Sequence, residues 1–152
     1  MKWNCTTANK GLIAALNADI LYEAEMAEDC LQRADSAPQQ YRGSIRNRAD
    51  RCAAAALRNA TALAAEVLWL GGIPPGPAPR RQFGRRAAES IEEYVIQARS
   101  AVTHYQHRLA MAERLGLARL REVFQEIVLS KRRHLAHAGL VAAEGPRSRQ
   151  LN

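Results

Sequence analysis

The sequence predicts an all-α protein of four long antiparallel helices, with one long crossover between the second and third. Three observations carry this. Ala, Leu, Arg and Glu are abundant, aromatic residues make up only 5% of the chain, and few windows show the β-branched alternation of strands. Residues 51–70 are an alanine-rich run of strong helix formers that ends on Gly71-Gly72 and then Pro74-Pro75, which cannot continue a helix. Four segments repeat apolar residues in steps of three and four, the rhythm of one buried helix face. At 152 residues, the chain is expected to form a single domain over residues 1–152, with flexible ends at 1–7 and 145–152. Such a core needs no disulfide or metal to fold.

The first helix is expected from residue 8 or 9 to 35, stopped by Ser36-Ala37-Pro38, with a stripe of Leu12, Leu16, Asp19, Glu23, Met26 and Cys30. Asp19 is expected at the edge of that stripe, in solvent. The second helix begins between residues 40 and 44 and carries Ile45, Ala49, Cys52, Ala56, Asn59, Leu63, Val67 and Leu70. A short connection makes these two helices antiparallel neighbours. Counting back from the turn sets Glu23 level with Ala56 to Asn59, and Cys30 level with Cys52. Residues 71–84 hold Pro74, Pro75, Pro77, Pro79 and the pair Arg80-Arg81; they read as an extended crossover. The third helix, 85–115, shows Ile91, Val95, Ala98, Val102, Tyr105, Leu109 and Ala112 before Gly116 breaks it. The fourth, 117–143, shows Leu117, Leu120, Phe124, Ile127, Lys131, His134, Ala138 and Val141, and Gly145-Pro146 ends it.

The net charge of +7 comes mainly from arginine and reads first as a solvated basic exterior. The clusters Arg42, Arg46, Arg48, Arg51 and Arg80, Arg81, Arg85, Arg86, with Arg147 and Arg149 in the tail, permit a nucleic-acid partner, but no reader motif accompanies them. No run approaches transmembrane length, so no membrane partner is expected. The start of the chain lacks a signal-peptide pattern, and three cysteines without metal-type spacing fit a reducing cytoplasm. Cys30 and Cys52 are expected as small core fillers, with pairing or soft-metal binding as the alternative. Tyr22 and Trp69 read as packing or interface residues, and His104, His107 and His137 as facing solvent or a subunit contact.

The polar residues on the stripes are Asp19, Glu23, Asn59, Lys131 and His134. Beside them stand Leu16-Asn17 followed six residues later by Glu23, the helix end Val67-Leu68-Trp69-Leu70-Gly71-Gly72-Ile73-Pro74, and the stretch from Tyr105 to Gly116 containing Ala112-Glu113. In their order and nearly gap-free spacing over residues 15–143, these marks make the chain resemble the bacterioferritins, a ferritin-like family. The resemblance implies a ferritin-like four-helix bundle. In that family a di-iron centre is held by a Glu on the first helix, Glu-x-x-His on the second, a Glu on the third and Glu-x-x-His on the fourth. Carried onto this chain, those positions are Glu23, Ala56 and Asn59, Ala98, and Lys131 and His134, so only Glu23 and His134 keep ligand side chains.

One carboxylate, one imidazole and an added ammonium do not neutralise two ferrous ions, and Lys131 repels them at close range. The resemblance therefore implies a member without a competent ferroxidase centre, acting as a structural or regulatory subunit in iron storage and co-assembling with an active subunit. An ion pair between Lys131 and Glu23 is expected where metal would sit, with Asn59 or His134 taking up the remaining hydrogen bonds. No cofactor is expected there; weak metal binding by Glu23 and His134 is the alternative. Iron would return if the site is rebuilt from Asp19, Glu23 and His134 with Glu92 or Glu93. The family's haem-ligating methionine corresponds to Leu57, which has no ligand atom, so haem is not expected. The family's fifth, pore-lining helix has no counterpart in the eighteen residues after His134. A homo-oligomer is expected, a two-fold dimer across the first two helices at least, or a hetero-oligomer with another ferritin-like subunit.

Overall fold

A computed structural model describes residues 7–36, 42–76 and 91–144 of the chain. Four α-helices follow in order: α1 (Thr7–Ser36), α2 (Arg42–Trp69), α3 (Ile91–Arg114) and α4 (Ala118–Glu144). No strand occurs among the described residues. The chain forms two compact units, Met1–Arg85 and Arg86–Asn152. α1 packs on α2 in the first, and α3 on α4 in the second.

The first unit is an antiparallel helical hairpin. Its direction is read from three contacts that climb one helix as they descend the other: Cys30 with Cys52, Glu23 with Asn59, and Asn17 with Ile73. α1 buries Leu16, Ile20, Met26, Ala27 and Cys30, a broader stripe than the single seam expected, because positions 20 and 27 flank it. α2 buries Ala49, Ala53, Ala56, Leu63, Val67 and Leu70. Small alanines at steps of four and three let helices approach closely, and each fully buried Leu or Val beyond them contributes about 1.5–3 kcal/mol.

The end of α2 follows from its glycine pair. Gly71 takes φ +79°, a left-handed conformation that costs a Cβ-bearing residue, while Gly71 N–H donates to the Leu68 carbonyl at 3.0 Å and Gly72 N–H to the Val67 carbonyl at 2.9 Å. This Schellman motif satisfies carbonyls the helix would leave open. It also turns the chain onto the start of α1. A Cβ built on Gly72 would lie 2.8 Å from Ile13 Cγ2, and Asn17 Nδ2 donates to the Ile73 carbonyl at 3.0 Å. Residues 72–76 then run without regular structure. The remainder of the expected crossover and the expected onset of the third helix lie outside the described residues.

The second unit is also antiparallel, since Tyr94 meets His134 and Tyr105 meets Phe124. Its buried residues are Ala98, Ala101, Val102, Tyr105 and Ala112 on α3, and Leu120, Phe124, Ile127, Val128 and Ala138 on α4. α3 closes on a second Schellman motif: Gly116 has φ +65°, and the Leu117 N–H donates to the Ala112 carbonyl at 3.0 Å. That tight turn sends the chain straight into α4. Among the described residues, no helix is long and apolar enough to cross a membrane.

Candidate functional site

Glu23 sits in the middle of α1 and is wholly buried, at 0% exposure. Across the hairpin, the Asn59 side-chain Nδ2 donates a hydrogen bond to its Oε2 at 3.1 Å. A carboxylate taken out of water needs such donors, because an unsatisfied buried charge costs several kcal/mol. Ala56, one turn before Asn59, is buried and presents only a methyl group.

Asp19, one turn before Glu23, is 2% exposed, which corrects the expectation of a solvated edge position. The reason lies in the helical angle: at 3.6 residues per turn the buried Met26 and Cys30 project about 20° to either side of position 19, which therefore falls inside the buried arc. Two further acidic residues, Glu25 and Glu66, are buried as well and were not singled out from the sequence. Glu66 lies on the Asn59, Leu63, Leu70 face in steps of four, three and four, so its period was legible; the neighbouring Val67 drew the stripe away from it. Glu25 Oε1 is buried without a hydrogen-bond partner. Asp19, Glu23, Glu25 and Glu66 of the first unit are thus all buried.

Among the described residues of the second unit, the buried charged side chain is a cation. Lys131 on α4 is 3% exposed, with its ammonium 5.7 Å from the centre of the buried Tyr105 ring, a cation–π distance. Tyr105 is itself tilted against Phe124 at 6.2 Å between centroids. His134, one turn further along α4, is half-buried and stands edge-on to Tyr94 at 5.2 Å. Ala98 is buried.

Five of the six positions that the resemblance singles out are therefore buried, His134 being the exception. Glu23 and Asn59 are brought into direct contact in the first unit. Leu57 points outward, 53% exposed. Glu92 and Glu93 are exposed, as are His107 and His137, while His104 is half-buried. Among the described residues, no three His, Cys, Asp or Glu side chains converge on a position that could hold a metal ion.

Of the basic clusters, Arg46 is exposed and lies 4.0 Å from Asp35, Arg51 is exposed and Arg48 half-buried. Arg80, Arg81, Arg85, Arg86, Arg147 and Arg149 lie outside the described residues. No family model, no curated protein and no solved structure matches this chain.

Proposed function

We propose that this chain is a ferritin-like subunit without ferroxidase chemistry, serving as a structural or regulatory partner in iron storage and assembling with itself or with an active subunit. The observation that carries the reading is the buried Glu23–Asn59 hydrogen bond. At the place where the resembling family presents imidazole and carboxylate to iron, Glu23 is held by a neutral amide, and its neighbour Ala56 offers no donor atom. Such an amide satisfies the carboxylate without metal.

The proposal includes the association of the two helical hairpins as a ferritin-like bundle joined by a crossover.

A self-associating face is supported on α2, where Leu57, Thr61, Ala64 and Leu68 follow in steps of four, three and four, with Leu57 and Leu68 53% and 62% exposed. Trp69 and Ile73 extend the apolar surface. A second copy related by a two-fold axis would meet the same stripe with its own.

The test is ferrous-iron oxidation and iron content measured on the purified chain, alone and mixed with a bacterioferritin, with assembly size followed by light scattering. Mixed particles, with no oxidation by this chain alone, are expected. Rapid oxidation with stoichiometric iron retained by the chain alone would overturn the proposal.

A further inference from the structure

The sulfurs of Cys30 on α1 and Cys52 on α2 face each other, with Cys30 Sγ donating to Cys52 Sγ at 2.6 Å. Both are thiols, not joined by a disulfide. Two cysteines on separate helices seldom fall so close by chance packing, since disulfide formation needs both backbone spacing and side-chain direction to agree. Here the two side chains are directed at each other, with their sulfurs 2.6 Å apart. The environments differ: Cys30 is 4% exposed, whereas Cys52 is half-buried and reachable from solvent.

We propose that Cys30 and Cys52 form a redox-active dithiol that a hydroperoxide converts to a disulfide, independently of the iron-storage reading. Cys52, the accessible sulfur, attacks as its thiolate the terminal oxygen of the hydroperoxide. The O–O bond breaks, the departing oxygen takes a proton and leaves as water or an alcohol, and Cys52 becomes a sulfenic acid. Cys30, deprotonated in turn, attacks that sulfur; the S–O bond breaks and its oxygen leaves as water. Two thiols are oxidised by one hydroperoxide, with no other reactant.

Location gives the bond its effect. Cys30 is seven residues beyond Glu23 on α1, and Cys52 seven residues before Asn59 on α2, so the sulfurs lie two turns, about 10 Å, from the Glu23–Asn59 contact. A covalent clasp there holds α1 and α2 in the register that keeps Asn59 on the buried carboxylate. It also protects the half-buried Cys52 thiol from further oxidation, because the resolving sulfur is already in place.

The experiment uses the full-length Cys5→Ser chain, treated with equimolar hydrogen peroxide and then alkylated. Expected are the joint loss of both alkylatable thiols, a fall in intact mass by two hydrogens, a Cys30–Cys52 cross-linked peptide pair, and full reversal by dithiothreitol. The thermal midpoint should rise by several degrees on oxidation and return on reduction. A Cys30→Ser variant should instead accumulate a dimedone-reactive sulfenic acid at Cys52, at least tenfold above the level in the parent. Oxygen addition at Cys52 with Cys30 still alkylatable would overturn the proposal. So would equal dimedone labelling of parent and variant, or thiols that survive peroxide treatment unchanged.

Discussion

Asn59 donates its side-chain amide to a Glu23 carboxylate that has no solvent contact, at 3.1 Å across two antiparallel helices. Removing the donor takes one hydrogen bond from a buried carboxylate. Asn59→Ala should therefore destabilise the fold by about 1–3 kcal/mol, measured by urea unfolding followed by circular dichroism. Asn59→Asp, which sets a second carboxylate against the first, should cost more at neutral pH than the alanine variant. Equal stability of all three chains would show that the contact contributes nothing.

If the lost ligand positions are registered correctly, chemistry can be put back. On the proposed reading, the combined changes Ala56→Glu, Asn59→His, Ala98→Glu and Lys131→Glu should confer ferrous oxidation and retained iron, read against the parent chain by stopped-flow absorbance and metal analysis. A correctly folded variant without iron binding would argue against the family resemblance.

The α2 stripe makes a prediction about assembly. Leu57→Glu and Leu68→Glu place charges on an exposed apolar face, so they should halve the mass seen by light scattering while leaving the helical signal intact. Both are outside the buried core, so lost helicity is not expected. An unchanged mass would move the contact elsewhere.

The helix end at Gly71-Gly72 separates two kinds of glycine. Gly71→Ala should cost about 1 kcal/mol through its left-handed backbone, with open space around the new methyl group. Gly72→Ala should cost a comparable or larger amount for a different reason, collision with Ile13 Cγ2 at 2.8 Å. Trimming the neighbour with Ile13→Ala, which removes both Cγ2 and the Cδ1 at 3.0 Å, should offset only Gly72→Ala, as thermal melts of the paired variants would show.

Helix existence and ends were legible because local chemistry decides them. Ser36-Ala37-Pro38 foretold the stop of α1, and Gly71 and Gly116 foretold the two left-handed caps. Lys131 and Glu23 were likewise placed inward by periodicity alone. The helical angle of Asp19, between those of Met26 and Cys30, was legible too, although solvent was expected there. The width of a buried stripe is a tertiary property, set by which surfaces cover a helix; for that reason Glu25 and Glu66 escaped notice. Cross-helix partners depend on register, which turn counting supplied for Cys30 with Cys52 and for Glu23 with Asn59. It could not supply the ring beneath the Lys131 ammonium, since Tyr105 on α3 entered only as another apolar position.

The seven-residue step from Glu23 to Cys30 is matched by an equal step from Cys52 to Asn59. An undistorted helix turns through slightly less than two full revolutions in seven residues, and two helices that keep such a heptad measure wind gently leftward around each other. The hairpin is consequently modular in length. Seven residues added to each arm would carry both contacts along unchanged, whereas seven added to only one arm would set every polar group two turns out of step with its mate.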